Sequence, residues 1–433
     1  ANIRHDGSSR FAKKHRWGTF PSFSAGWVLS EENFMKNLNW EWLSFLKIRA
    51  TWGALGNERI GDFPYMSTIA FGNTIFYQNN GIYFDQTASQ QKYAIENVTW
   101  EKTESTDIGL DISFLNNRLR VNGDYYWKNT KDMLLAMAIP DFLGFSDPDV
   151  NAGKMSTKGY ELNVSWNDHI GDFSYGIAIN FSDFTSKMGD LQGTQFLGDK
   201  VKMEGSEFNE WYGYVSDGLF LTEEDLKNSP KINDKNTQLG DIKYKDISGP
   251  DGVPDGKISP EYDRVLLGSS LPHFLYGGNI NLGYKNFDLS LAFQGVGKQN
   301  ARLAREMVEP FRNNYGNFPA IIDGNYWSPY NTDEQNAVAK YPRLTHVNKS
   351  SNYAMSDYWL FNGGYFRLKN ITLGYTFPKE WMNAIGIKGA RIYASASDLF
   401  CLSKYPKGWD PEMGVSEYPI TTSILRSEER RVG

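Results

Sequence analysis

Residues 105–128 read STDIGLDISFLNNRLRVNGDYYWK. Ile108, Leu110, Ile112 and Phe114 alternate with Asp107, Gly109, Asp111 and Ser113, and a period of two specifies a β-strand. Asn116 and Asn117 mark a tight turn, after which Leu119, Val121 and Tyr125 resume the alternation. One face of this hairpin is therefore apolar and the other polar. In a soluble sandwich the apolar face meets a second sheet; in a membrane barrel it meets lipid while the polar face lines a wet interior.

Working outward, about a dozen alternating segments lie near 1–5, 17–30, 45–55, 99–114, 119–128, 158–166, 173–183, 273–284, 287–296, 365–377, 390–400 and 418–425. Their connections divide into two kinds. Short ones (115–118, 167–171, 285–286 and a modest 378–389) alternate with long ones near 56–98, 129–157, 184–272, 297–364 and 401–417. The alternation holds from 31–44 onward, and only the first connection, 6–16, is too short to fit. An up-and-down antiparallel arrangement puts all short turns at one end and all long loops at the other, as outer-membrane barrels do. Loops this long in a compact domain are otherwise unusual unless they are functional. If the long loops face outward, the strand near Tyr418 runs toward the periplasm. Aromatic clusters at Tyr125–Trp127, Tyr358–Phe361 and Tyr365–Phe366 fit an interfacial girdle, or ordinary packing at strand ends.

Composition permits this reading. The chain has 433 residues and a net charge of −6, with 41 Gly, 25 Tyr, 27 Phe and 13 Trp but only 40% hydrophobic residues. The charge gives no footprint for nucleic acid. No run reaches the roughly 18 apolar residues of a membrane-spanning helix, whereas barrel strands hide their apolar content by alternation. Cys401 stands alone, so neither an intrachain disulfide nor a cysteine-based zinc site is available. The opening ANIRHDGSSRF has no initiator methionine, basic n-region or apolar h-region, and is expected to lie inside a longer protein.

Several stretches resemble the SusC/RagA-like TonB-dependent transporters of the Bacteroidetes outer membrane. They are NIRHDGSSRF (2–11), RWGTFPSFSAGWVLSEENFM (16–35), LKIRATWGALGNERIG (46–61), WEKTESTDIGLDISF (100–114), GYEL (159–162) and WYGYVSDGLF (211–220). GDIKYKDISGPDGVPDGKISPEYDRVLLGSSLPHFLYG (240–277), YFRLKNITLGYTFP (365–378), ASDLF (396–400) and GWDPEM (408–413) complete the series. The matches are collinear over nearly the whole chain. The resemblance implies an all-β fold: an antiparallel up-and-down transmembrane β-barrel of 22 strands around an N-terminal plug, this chain supplying about the last 12 strands, with long extracellular loops and short periplasmic turns. It further implies uptake of an oligosaccharide or peptide, a SusD-like lipoprotein capping the loops, and energy from TonB–ExbB–ExbD through a plug that lies outside this chain. Residues 1–425 are expected to be barrel. The octapeptide RSEERRVG (426–433) is expected to be a non-native tail, because it departs from the family pattern and resembles a translated sequencing adaptor. Its consecutive charges would also put Arg or Glu on a lipid face, at roughly 2–4 kcal/mol for each Arg near the midplane.

Candidate chemistry is sparse. The five histidines are scattered, and no HExxH, GxSxG elbow, P-loop or GxGxxG in a strand–helix context occurs. No Asp/Glu pair stands out as an acid/base couple, so no catalytic residue is assigned and no enzyme is expected. In DISGPDGVPDGKISPEYD (246–263), Asp246, Asp251, Asp255, Glu261 and Asp263 are hard oxygen donors and Gly252 and Gly256 permit sharp turns, as a calcium loop needs. The EF-hand spacing fails at Ser248 and Pro250, and a turn whose Asp side chains cap their own backbone accounts for the same residues. No other cofactor is expected. Trp211, Tyr212 and Tyr214 lie in a long loop where they would stack on a substrate or pack at the barrel mouth. Trp327 and Tyr330, in NYWSPYNTDE, offer the same alternatives. The alternative to the importer is a secreted or surface β-sandwich that binds or cleaves polysaccharide. It would need its apolar faces packed sheet on sheet and would refold in buffer, whereas open barrel strands would need detergent.

Overall fold

The computed structural model describes every residue except 91, 138, 194, 304, 313–317, 414–417 and 433. The alternating segments become strands β1 (Asn2–Gly7), β2 (Trp17–Val28), β3 (Leu43–Asn57), β4 (Glu101–Phe114), β5 (Leu119–Lys131) and β6 (Lys154–Ile170). They continue as β7 (Phe173–Met188), β8 (His273–Tyr284), β9 (Phe287–Lys298), β10 (Tyr365–Thr376), β11 (Ile387–Ser403) and β12 (Ser423–Val432). Hydrogen bonding joins them in sequence order into one twelve-stranded sheet. Such a meander follows from turns too short to cross over: β4 and β5 are joined through Leu115, Asn116 and Asn117, all at positive φ, a region Asn tolerates well.

Register keeps the two faces apart. Ile108 lies opposite Tyr125 on β5 and Ala50 on β3; Leu110 lies opposite Gly123 and Ile48; Ile112 lies opposite Val121 and Leu46. On the other face Asp107 meets Tyr126 and Thr51, and Asp111 meets Asn122 and Lys47. Strands β9–β11 repeat the pattern, with Leu289–Leu373–Ala394 and Leu291–Ile371–Ala396 in apolar rows and Ser290–Thr372–Ser395 in a polar one. A slip of one residue would turn Arg49, Asp107 and Asp111 onto the apolar face, so the register is strongly specified. The apolar rows are uncovered: Ile108 is 49% and Leu373 52% exposed. A sandwich would bury these residues against a second sheet, and lipid is the remaining partner for them.

The chain divides into two compact units: residues 1–162, 184–195 and 203–205, and residues 163–183, 196–202 and 206–433. In the first, Phe11, Phe20, Ile60, Val98 and Trp100 form a small core, tied by the Trp100 indole N–H donating to the Arg16 carbonyl at 3.1 Å. Trp40, Trp42 and Phe114 stack in series at 5.2 and 5.7 Å at the short-turn end of β3 and β4, as an interfacial girdle would. In the second, Tyr214, Leu219, Ile242, Tyr244, Ile258, Leu303, Val308, Tyr353 and Trp359 form a larger core built from two long loops.

Two expectations change, and the long connections carry structure of their own. Residues 56–98 hold a hairpin (Ile69–Gln78 with Gly81–Gln90), and 184–272 and 297–364 hold further short strands and helices. Tyr358, Trp359 and Phe361 are not girdle residues, since Trp359 is buried in the loop core and the other two pack against it. Finally, β12 starts at Ser423 rather than near 418 and its backbone continues to Val432, paired with Ile387. A charged sequence does not stop backbone pairing, because ladder hydrogen bonds are independent of side chains.

Candidate functional site

The second unit's loop core is organised by a charge. Asp241 is fully buried. Its Oδ1 accepts from Arg343 Nε at 2.7 Å and from Asn352 Nδ2 at 2.8 Å; its Oδ2 accepts from Arg343 Nη2 at 3.1 Å, Asn348 Nδ2 at 2.9 Å and the Gln238 amide at 2.9 Å. A buried carboxylate is tolerated only when paired and fully hydrogen-bonded, and this one is. Burial also holds the phenols of Tyr214, Tyr244, Tyr353 and Tyr358 above their ordinary range.

Against this scaffold lies a cavity of about 590 Å³ edged by Glu223, Gln238, Tyr326, Trp327, Tyr330 and Arg343. Each wall is locally fixed. Glu223 opens helix α1 (Glu223–Asn228), capped by Thr222 Oγ1, which accepts from the Asp225 amide at 3.1 Å. Lys243 ties the same helix, through Asp225 at 3.1 Å, to Asp217 of the strand Ser216–Leu219 at 3.0 Å; burial opposes its charge, but the two carboxylates outweigh burial and raise its pKa. Gly240, at φ +84°, lets the Trp327 ring approach where any Cβ would lie 2.3 Å from it. The lip 326–331 is held by Asn336, which accepts from the Ser328 amide at 3.1 Å and donates to the Ser328 carbonyl at 3.0 Å. Asn336 sits in helix α2 (Asp333–Ala337), which begins with a Thr332–Gln335 capping box.

The sequence candidates separate into three places. Trp327 and Tyr330 share the cavity rim. Trp211 and Tyr212 lie on a short strand elsewhere in the unit, already engaged: the Trp211 N–H donates to the Asn300 carbonyl at 2.7 Å, Lys200 covers its ring at 4.5 Å, and Arg264 covers Tyr212 at 5.0 Å. Burial depresses the Lys200 ammonium below its ordinary value. Tyr214 is buried against Tyr244, with ring centroids 5.3 Å apart.

The acidic segment is laced to its own backbone. Asp263, fully buried, accepts from the amides of Ile247 (2.8 Å), Ser248 (3.3 Å) and Ser259 (2.6 Å). Asp246 Oδ2 accepts from the Gly256 amide at 2.6 Å, leaving Oδ1 buried without a hydrogen-bond partner, and Asp255 accepts from the Lys257 amide at 3.0 Å. Among the described residues, no three His, Cys, Asp or Glu side chains are grouped to hold a metal ion. As arranged, Asp246, Asp255 and Asp263 each accept from amides of their own segment, as a self-capping turn does.

One cluster escaped the sequence reading. Arg367 on β10 is buried and pairs with Asp410 at 2.5 Å. Its Nε lies 2.9 Å from Glu412 Oε2, close enough to pair as charges but not aligned as a hydrogen bond. Lys369 meets Asp398 at 2.8 Å, and Gln294 donates to Glu412 at 2.5 Å. The cluster fastens the segment around 410–412 to strands β9–β11. Its signal was present as YFRLKN, ASDLF and GWDPEM, but nothing in spacing says that these distant phrases meet.

An uninterrupted antiparallel meander with a bare apolar face, and long structured loops at alternate connections, defines the wall of an outer-membrane β-barrel. The chain belongs to the TonB dependent receptor-like beta-barrel family, whose description it matches over residues 1–399. It is 32% identical to the TonB-dependent receptor SusC of Bacteroides thetaiotaomicron, over 98% of this chain and 41% of that protein. With TonB-dependent receptor P3 of Formosa agariphila the identity is 30%, over 94% and 40%. The chain thus spans about two-fifths of the length of these relatives. It shares the fold of the RagAB peptide transporter, with a TM-score of 0.78 and 22% identity over 99% of this chain and 45% of that one. Family membership replaces the β-sandwich alternative.

Proposed function

We propose that this chain is wall and loops of a receptor that imports oligosaccharide or peptide across the outer membrane, driven by TonB–ExbB–ExbD and assisted by a SusD-like lipoprotein. The observation that carries this reading is the match to TonB-dependent receptors along nearly the whole chain. The wall residues serve as a lipid-embedded frame, and the loop core positions whatever first meets the substrate. A capping partner is supported by the hairpin of 69–90, which exposes Phe71, Tyr77 and Phe84, a patch of the kind partners cover. We assign the chain no catalytic step. The acidic segment is assigned a turn-forming role rather than a calcium-binding one, because Asp246, Asp255 and Asp263 already serve backbone amides. The test is uptake of labelled oligosaccharide and peptide pools by cells with and without the receptor and with and without TonB. Uptake that needs both supports the reading; uptake indifferent to TonB contradicts it.

A further inference from the structure

The cavity at Trp327 and Tyr330 has features that a loop core does not require. Tyr330 is 96% exposed, yet it is not loosely held, since its amide donates to Ser328 Oγ at 3.3 Å. The Trp327 amide donates to the Tyr341 carbonyl at 3.0 Å. Two aromatic rings are thus presented on a fixed lip, one against Gly240 and one in water. Around the same space stand an exposed carboxylate (Glu223), an exposed amide (Gln238) and the Arg343 guanidinium. The volume is that of a small-molecule site, and its walls are preformed.

We propose that this cavity is a binding subsite for a neutral oligosaccharide, with a ring stacked on Tyr330 and Trp327 and its hydroxyls hydrogen-bonded by Glu223, Gln238 and Arg343. The flat C–H face of a pyranose matches an aromatic plane, and vicinal hydroxyls match the two-pronged carboxylate, amide and guanidinium groups. Charge decides between sugar classes. The Arg343 cation is already matched by Asp241 at 2.7 Å, so Glu223 leaves the rim without positive excess, and an acidic sugar or a phosphate is disfavoured. A peptide strand would pair along an open sheet edge, which the lip 326–331 does not supply; Leu226, Leu239 and Leu344 on the cavity wall are left to meet the C–H faces of a sugar. The inference rests on the importer reading for its biological sense, and names the substrate class that such an importer would meet at its loops.

The experiment is calorimetric titration of the intact receptor in detergent with maltohexaose, laminarihexaose, xylohexaose and mannohexaose, with a galacturonic acid hexamer and a pool of hexapeptides as contrasts. At least one neutral hexasaccharide is expected to bind in preference to the acidic one. Tyr330→Ala, at an exposed position, is expected to weaken that binding about tenfold at unchanged melting temperature, and Glu223→Gln to weaken it several-fold. Failure of all four neutral sugars to bind, preference for the acidic sugar or for peptides, or a Tyr330→Ala receptor with unchanged affinity each overturns the proposal. Uptake with and without TonB is measured alongside. TonB-dependent uptake with binding indifferent to Tyr330 removes the subsite and keeps the importer. Tyr330-dependent binding with TonB-independent uptake does the reverse.

Discussion

Arg49 on β3 reaches Asp124 on β5 at 2.9 Å, although β4 runs between them. The residue of β4 that lies directly between is Gly109, where a Cβ would stand 2.4 Å from Asp124 Oδ1 and 2.6 Å from Arg49 Cζ. Arg49 also forks onto Asp111 at 2.8 and 3.1 Å. The device recurs in the second unit, where Arg391 on β11 pairs with Asp288 on β9 at 2.6 Å beside Gly374 of β10. On the polar face, then, glycine in a middle strand lets an ion pair clasp three strands at once. On a half-wet barrel interior such a clasp is better shielded than a surface pair.

Gly109→Ala should therefore be costlier than an ordinary Gly→Ala change in a strand. The methyl group must displace either Arg49 or Asp124, an overpacking cost of about 1–3 kcal/mol. In the Asp124→Ala background the same substitution should cost less, because its steric partner is gone. Thermal unfolding of the four receptors of this cycle, in detergent, measures the difference; additive effects would contradict the clasp.

Arg367→Gln should be among the most damaging single changes in the wall. It would strand Asp410, which is poorly exposed, without its cation and leave Glu412 only the more distant Lys369 at 3.7 Å; unpairing a buried charge typically costs about 3–5 kcal/mol. Arg4→Gln, whose pair with Asp6 is largely exposed, should cost under about 1 kcal/mol. Limited proteolysis should find new cleavage around 404–413 in the first variant only. Equal protection in both would show that the segment is held by something else.

These two contrasts mark how far the sequence could be read. Period-two patterning located the first eleven wall strands and only the opening of β12, because a lipid-facing strand must alternate and short turns leave its neighbour no choice. What alternation cannot reach is contact between distant loops. Trp359 reads as a girdle residue beside Tyr358 and Phe361, and only packing of 297–364 against 211–258 makes it core. Asp241 and Asp263 look like any acidic loop residues until burial and their amide partners are seen. Trp327 and Tyr330 were legible as exposed aromatics, but the cavity they share is made with Gly240, Glu223 and Arg343, the first two far away in sequence.

Alkaline pH should loosen the loop core before the wall. Tyr244, Tyr353 and Tyr358 are raised above the ordinary phenol value, with burial the main cause. Between the ordinary and raised values the folded state holds protons that the unfolded state has lost, so stability is whole below about pH 10 and falls as pH climbs beyond it. Tyrosinate absorbance and loop proteolysis followed from pH 8 to 12 should change together above pH 10. Ionisation of the whole tyrosine complement near pH 10 with the loops still protected would contradict this.

Removing calcium should leave the 246–263 segment unchanged. Asp246, Asp255 and Asp263 serve backbone amides, so chelator and excess calcium should give the same melting temperature and the same cleavage pattern. Asp263→Ala, by contrast, unpairs the amides of Ile247, Ser248 and Ser259 and should cost about 1–3 kcal/mol or more. A melting temperature that rises by several degrees with calcium would instead assign these residues to the ion.

The central claim is that one face of this sheet meets lipid. It is tested most directly by nitroxide labels placed singly at Leu110, Asp111, Ile112 and Ser113, each changed to Cys in a Cys401→Ser receptor embedded in a bilayer. Collisions with oxygen, which concentrates in lipid, should be frequent at 110 and 112, while collisions with a polar nickel chelate should be confined to 111 and 113. An accessibility profile without that two-residue period, or one with all four positions reached mainly by the chelate, would contradict a membrane wall.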